Sequence, residues 1–301
     1  MLRKVIFNFD EDTMTRLRGP LQSLSQDIKA HGTEAVYNVC GRKIQQSEAQ
    51  MAEECQDEEK QQRDCRFKKE VIYLTDLPEE YSRLRRQGWN VLPYRHAVNR
   101  EESFAGAEYV IEQIEDIDYG VIDMVYRRME GLPWEILRTK RCVVRETIEE
   151  DVDSLYDIYA DPSITEYMEG LYHDRDEEVA YIQDYRRRMY GFYGYGIWTI
   201  LEGSQGKVIG RVGINWREGF EIPELGFMIG APWQRQGYAY EVCSEILNYA
   251  RDEIGFKQMQ ALVREHNEKS CALCRKLGFE EEGITLLEGM RYRVYKIELT
   301  R

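Results

Sequence analysis

The chain has 301 residues, with 41 Lys and Arg against 55 Asp and Glu, for a formal net charge of −14. At roughly 150 residues per domain this length predicts two domains, and the acidity of both halves argues against nucleic-acid binding through phosphate contacts. A hydrophobic content of 43% supports a packed core rather than wholesale disorder. No apolar run reaches the ~18 residues of a membrane span, and Arg3 and Lys4 come too early for a signal-peptide core. A cytoplasmic protein with neither a nucleic-acid nor a membrane partner is expected.

The seven cysteines are Cys40, Cys55, Cys65, Cys142, Cys243, Cys271 and Cys274, an odd number in a long chain. A disulfide framework is therefore not expected. Cys271 and Cys274 form a C-x-x-C with no second pair at zinc spacing, and the flanking pattern is helical. They are expected to be small buried residues, and no metal is expected.

In the first segment strands and helices alternate. Val5–Phe9, Glu34–Val39 and Val71–Thr75 have strand composition, and Thr13–Ala30 has helical spacing. Glu79–Gln87 is a predicted helix stopped at Gly88. Val91–Tyr94 and Tyr109–Glu112 are short strand candidates, and Tyr119–Glu130 is an amphipathic helix. This order predicts a parallel, Rossmann-like sheet with crossover helices. Gln45–Lys69, polar and charged, is predicted as an exposed helix. Gly131-Leu132-Pro133-Trp134 is a predicted linker, giving domains 1–135 and 141–301 with a boundary near Lys140.

The second segment restarts with the strand Arg141–Arg145. Thr147 opens T-I-E-E, the pattern of a capping box closed by Glu150, and a helix follows through Tyr159. Next come a helix over Asp176–Tyr190, strands over Ile197–Leu201 and Val208–Trp216 across a G-S-Q-G turn, and a strand over Leu225–Ile229. A long helix over Tyr238–Glu253, a strand over Met259–Val263 and a helix over Lys269–Leu277 complete the order. The strands Ile284–Thr285 and Tyr292–Glu298 form a closing hairpin.

The most informative stretch is E-L-G-F-M-I-G-A-P-W-Q-R-Q-G-Y-A-Y-E, residues 224–241. A strand runs through a tight loop into a long helix, whose first N–H groups have no intrahelical partner and carry partial positive charge. Such an end suits an anion such as a pyrophosphate. Gly237 allows close backbone approach. The spacing Gln234-x-x-Gly237-x-Ala239 is neither a Rossmann fingerprint nor a Walker loop.

Together with N-E-K-S-C-A-L-C-R-K-L-G-F, residues 267–279, this stretch resembles the GNAT N-acetyltransferase superfamily. Q-R-Q-G-Y-A matches that family's coenzyme A signature, and Asn267 with Leu277-Gly278-Phe279 matches its following element. P-W-Q-R-Q-G-Y-A-Y-E is most similar to the ribosomal-protein-alanine acetyltransferase-like branch. The resemblance covers about residues 141–301 and implies a mixed, mostly antiparallel, splayed sheet with helices on both faces. It implies acetyl-CoA as co-substrate and transfer of acetyl to a primary amine of a small molecule or a peptide N-terminus.

Residue by residue, the resemblance implies that the main chain of Met228, Ile229 and Gly230 binds the pantetheine arm. The N–H groups of Arg235, Gln236, Gly237, Tyr238 and Ala239 would cradle the pyrophosphate, with Gln234 starting the loop. Asn267 would hydrogen-bond the pantetheine, with Ser270 nearby, and an N–H near Met228 would stabilise the oxyanion. Glu224 takes the position of a carboxylate base. Cys274 stands where the family often carries a Tyr that protonates the departing thiolate. The resemblance places the acceptor against Ile164–Asp174 and the strands that follow, where Tyr167, Glu169, Tyr172, Tyr195 and Trp216 are the candidates. Aromatics beside a carboxylate suit a cationic amine.

In the first segment, K-V-I-F-N-F-D-E-D-T, residues 4–13, weakly resembles the opening strand of the haloacid dehalogenase-like fold. Asn8 stands at the nucleophile, however, and an amide cannot form an aspartyl-phosphate. Asp76 falls at the tip of a later strand. A degenerate domain that docks, binds a small ligand or holds a homodimer together is expected. Two rival readings of the whole chain are a phosphatase working in the first segment and a non-catalytic acyl-CoA sensor.

Overall fold

The computed structural model describes residues 1–39, 67–203 and 206–300. The predicted helix over Gln45–Lys69 falls mostly outside the described residues, as do Cys40, Cys55 and Cys65. The chain divides into two units, Met1–Leu132 and Pro133–Arg301.

In the first unit β1 (Lys4–Phe9), β2 (Glu34–Val39), β3 (Val71–Thr75) and β4 (Asn90–Pro93) form one sheet in the order β2-β1-β3-β4. All of its pairings are parallel. The strands are nearly continuous apolar runs, as expected where crossover helices cover a parallel sheet. Phe7, Phe9, Ile72, Leu74 and Leu92 are buried against Leu21, Ile28, Ile122 and Tyr126 of the helices. The helix expected over Thr13–Ala30 is two helices, Glu11–Arg16 and Arg18–Ala30, joined at Leu17. Pro20 explains the break, because it cannot donate to the carbonyl four residues back and its ring crowds that carbonyl. Pro78 opens the next helix, Pro78–Arg86, where a missing N–H costs nothing. The strand expected at Tyr109–Glu112 is reduced to a single bridge between Tyr94 and Ile111.

The second unit is built on eight strands in the order β11-β12-β10-β9-β8-β7-β6-β5. They are β5 (Glu135–Arg138), β6 (Cys142–Arg145), β7 (Ile197–Glu202), β8 (Lys207–Asn215), β9 (Glu224–Ile229), β10 (Gln258–Arg264), β11 (Glu280–Leu287) and β12 (Met290–Glu298). Neighbours are antiparallel except β9 and β10, which are parallel and paired in register only at Glu224 and Gln260. Beyond that pair the two strands part. β5 was not anticipated. It begins two residues after Pro133, so the predicted linker is shorter than its composition suggests.

Period-two alternation, shifted by one residue where β8 carries the extra Ile209 opposite Ile200 and Leu201, sorts the residues of this sheet to its two faces. Met228 and Val208 pack with Leu155 and Ile158 of the helix Val152–Tyr159. Ile229, Ile209, Val212 and Ile214 join Val242 and Ile246 of the helix Tyr238–Tyr249. The predicted capping box at Thr147 is displaced by one residue: Asp151 accepts from the Ile148 N–H at 3.1 Å. The Thr147 hydroxyl faces Thr199 instead, 3.0 Å away. The helices Arg175–Tyr185 and Tyr238–Tyr249 both run on into a wider turn, at Arg186–Tyr193 and Ala250–Ile254. Each turn ends on a left-handed glycine, Gly194 or Gly255.

Candidate active site

The parting of β9 and β10 opens a cleft whose upper edge is the loop from Gly230 to Gly237. Two residues of this loop are left-handed: Arg235 at φ 61° and Gly237 at φ 85°. Such a conformation is uncommon for a side-chain-bearing residue such as Arg235, whereas Gly237 adopts it freely. Gly237 is the N-cap of the helix Tyr238–Tyr249, and no side chain caps that helix. Its first N–H groups therefore remain available to an anion, and the partial positive charge of the helix end adds to them.

The loop is braced from within. Gln234 Nε2 donates to the Ile229 carbonyl at 3.0 Å, and Gln236 Nε2 donates to the Pro232 carbonyl at 2.9 Å. These side chains thus serve the loop rather than a ligand. Arg141, which sequence reasoning missed, does the same from the residue before β6. Its guanidinium lies 4.1 Å from the Tyr238 ring centre and donates to the Gln236 carbonyl at 2.9 Å and to Glu241 at 2.7 Å. Tyr238 is buried and its hydroxyl donates to Glu202 at 2.6 Å, so only its backbone faces the loop. Ala239 packs against the core.

Of the main-chain groups expected to hold the pantetheine, the Gly230 N–H is already bonded to Ile209 at 2.8 Å, and the Ile229 carbonyl is held by Gln234. The Met228 backbone lies between them and the paired end of the strand. On β10's side of the cleft, Asn267 caps the helix Glu268–Lys276 by accepting from the Ser270 N–H at 3.1 Å. Its amide nitrogen is the group it has to offer.

Glu224 sits at the root of the cleft, where β9 still pairs with β10, and is only 7% exposed. Burial pushes its carboxyl above the usual glutamate range, and Arg217, donating from Nε to Oε2 at 2.8 Å, offsets part of that rise. A carboxylate of this kind is poised closer to neutrality than an exposed one. Cys274 requires a correction. It is fully buried in the apolar core beside Cys271 and Cys243, and burial pushes its thiol up to about 12. A group with no exposed surface cannot touch the departing thiolate, so Cys274 is a core residue here.

The expected acceptor residues fall into two groups. Trp216 donates from Nε1 to the Tyr195 hydroxyl at 2.6 Å, and both rings pack on Phe256. Register places this pair at the Glu224 end of the sheet, since Asn215 pairs with Glu224 and Ile197 with Gly213. Tyr172 belongs to a second run of rings in which Tyr172, Tyr181, Tyr185 and Tyr190 follow one another at 5.4 to 5.8 Å. Tyr167 is half-buried, and Glu169 and His173 are exposed. Arg211, in the middle of β8, was missed, although its charge inside the apolar run V-I-G-R-V-G-I was visible.

The first unit gathers polar groups at the tips of β1 and β3. Asp76, buried, accepts from the Asp10 N–H at 3.2 Å and lies 3.3 Å from His96 Nε2. Asp10 caps the helix Glu11–Arg16 through the Thr13 N–H at 2.6 Å. Asn8 is buried. Among the described residues no group of three or more His, Cys, Asp or Glu is placed to hold a metal ion, and no helix is long and apolar enough to cross a membrane.

The second unit therefore joins an uncapped helix start, on a left-handed loop, to two parting parallel strands. Residues 141–280 match the model of the acetyltransferase (GNAT) domain, and the C-terminal half of the chain is such a domain. It is 26% identical over 155 residues to the uncharacterized N-acetyltransferase YoaA of Bacillus subtilis, covering 50% of this chain and 85% of that protein. It is 27% identical over 165 residues to the ribosomal protein uS5-alanine N-acetyltransferase of Escherichia coli, covering 51% of this chain and 82% of that protein. Among solved structures, an acetyltransferase from Agrobacterium tumefaciens is 25% identical, with a TM-score of 0.46 over 54% of this chain and 92% of that one.

Proposed function

We propose that the second unit moves an acetyl group from acetyl-CoA to a primary amine of a small molecule or a peptide N-terminus. The observation that carries this reading is the loop Gln234–Ala239. Its N–H groups, on a loop that leads through the left-handed Arg235 and Gly237 into an uncapped helix end, fit a pyrophosphate, and the cleft below has the width left by two parted strands. Asn267 would meet the pantetheine from the far side, as the resemblance implies.

The amine nitrogen forms a bond to the thioester carbon, the carbon–sulfur bond breaks, and coenzyme A leaves as a thiolate. The proton lost by nitrogen must be taken up and the thiolate must be protonated. Glu224 is the candidate base. It is four residues from Met228 on an extended strand, about 13 Å at 3.3 Å per residue, so it acts through water rather than directly. With Cys274 buried, water also supplies the thiolate's proton, and most of the rate comes from positioning. The mixed branch that the motif resembles leaves the acceptor open.

An acetyl-transfer screen read by mass spectrometry, over polyamines, aminoglycosides, amino acids and peptide N-termini, tests the reading. Transfer to at least one class is expected. Tight acetyl-CoA binding with no transfer to any of them would favour an acyl-CoA sensor instead.

A further inference from the structure

One transverse row of the second sheet carries two arginines in contrasting surroundings. Register aligns Arg145, Thr199, Arg211 and Met228 across β6, β7, β8 and β9. Their side chains therefore leave the same face of the sheet, the face on which Met228 meets the helix Val152–Tyr159. Arg145 is neutralised within the chain. Its two terminal nitrogens hold the two oxygens of Asp151 at 2.7 and 2.6 Å, and Asp151 also accepts from Thr199 at 3.0 Å.

Arg211 has no such partner. Its guanidinium lies among the phenols of Tyr159, Tyr190 and Tyr185 and hydrogen-bonds to that of Tyr159. Its Nε is shut away from solvent without an acceptor, although the residue as a whole keeps some accessible surface. Burial opposes its charge, but the phenol oxygens more than offset that, so the guanidinium stays ionised. Two of these phenols are fixed in place: Tyr185 accepts from the Ile197 N–H at 2.7 Å, and Tyr190 donates to the Ile197 carbonyl. Among the described residues no carboxylate forms an ion pair with Arg211. A guanidinium with one N–H shut away from water and no carboxylate beside it can be completed by an anion from outside the chain.

A second unmatched group lies nearby. Glu178 is buried on the helix that carries Tyr181 and Tyr185, and the charges of both Glu178 and Arg211 act on Tyr181. Glu178 Oε2 accepts from the Tyr172 N–H at 3.1 Å, while Oε1 is buried without a donor. An unmatched donor and an unmatched acceptor on one face suit a molecule that carries both an amino group and an anionic group.

We propose that the acceptor amine carries a carboxylate or phosphate, bound by Arg211 next to the Met228 row against which the thioester is read. The proposal rests on the acetyl-transfer reading above and names its substrate class. A planar fork of N–H donors matches both carboxylate and phosphate geometry, and the two sources separate by experiment. A polycation would meet the Arg211 charge and be repelled.

The test uses matched amines on the full-length protein: alanine against alaninamide for the carboxylate, O-phosphoethanolamine against ethanolamine for the phosphate, and spermidine as the polycation. Acetyl transfer is followed by thiol release. Binding to the coenzyme A-saturated protein is followed separately by calorimetry. At least one anionic member is expected to exceed its neutral twin about tenfold in kcat/KM. Arg211→Met should collapse that ratio to near one through KM, with acetyl-CoA affinity unchanged. Arg211→Lys keeps the charge without the fork; it should restore part of the ratio and guards against a folding defect. Neutral twins or spermidine acetylated as well as the anionic amines, or a ratio unmoved by Arg211→Met, would overturn the proposal. Arg211-dependent binding of an anionic amine without any transfer would uphold the anion site and sink the acetyl-transfer reading alone.

Discussion

Two strand tips in this molecule concentrate polar groups, and they differ in how many of those groups the chain itself satisfies. At the end of β9 the loop leaves a helix start uncapped, and the side chains of Gln234, Gln236 and Arg141 are used to hold the loop rather than to fill it. At the ends of β1 and β3 the polar groups satisfy one another. Asp76 binds the Asp10 N–H and His96, and the Asp10 carboxylate caps the helix that follows. The first arrangement offers donors to a ligand. The second has its donors and acceptors largely matched. The lesson is to weigh a strand tip by what remains unpaired there, not by how many polar residues it collects.

The sharpest way to break this comparison is at Gly237. Gly237→Glu adds a side chain at φ 85°, where L-residues pay roughly 1–2 kcal/mol, and it puts negative charge where the pyrophosphate approaches. Acetyl-CoA affinity should fall by about a hundredfold or more, roughly 2.7 kcal/mol. Calorimetry checks this, and unchanged affinity would remove the loop from the coenzyme site. The same kind of charge placed at an exposed position of the first unit should leave that affinity alone.

Glu224→Gln is the next largest change. If Glu224 takes up the amine's proton through water, kcat should drop on the order of a hundredfold, with acetyl-CoA affinity near that of the unaltered protein. Steady-state rates from pH 6 to 9 decide this: a profile that keeps both its height and its shape is incompatible with a base at Glu224.

How far these residues could be read from the sequence follows the same division. The helix start at Gly237 was legible because its signal is local, a spacing of Gln, Gly and Ala after an apolar strand. β5 was not legible, because Pro133 and Trp134 next to Gly131 have linker composition, and the pairing that makes Glu135–Arg138 a strand comes from β6. The break at Leu17 was encoded in Pro20 but hidden by helical spacing on both sides. Cys274 was assigned by its position in a motif, and a motif does not say which way a short side chain points; the thiol is enclosed in the core. Arg141 and Arg211 were missed because their roles depend on strands brought together from distant parts of the chain.

Arg217 sharpens the reading of Glu224 by a smaller margin. Burial raises the Glu224 carboxyl and Arg217 pulls it back. Removing the guanidinium with Arg217→Met should therefore move Glu224 further up. A base works ionised, so the acid limb of kcat/KM should shift to higher pH, away from the value of about 4.3 of an exposed glutamate. If the limb stays fixed while Glu224→Gln abolishes it, the two side chains do not titrate as a pair in the working enzyme.

The smallest expected effect lies in the first unit and asks whether its matched cluster is structural. Burial, helped by the charge of Asp10, holds the Asp76 carboxyl above the usual range against the pull of Thr13 and His96. A carboxyl raised in the folded state contributes stability that is complete below its unfolded value, about 3.9. That contribution is lost as pH climbs through the folded value. Asp76→Asn keeps an oxygen for the Asp10 N–H and cannot ionise, so the loss of stability above pH 4 should become shallower. Urea midpoints of the full-length chain, read from hydrogen exchange in β3 peptides at several pH values, measure the slope. An equal slope in both proteins would mean that Asp76 is ionised without cost. The hydrogen bonds from the Asp10 N–H, Thr13 and His96 would then offset burial completely, and the cluster would be matched in its charged form as well.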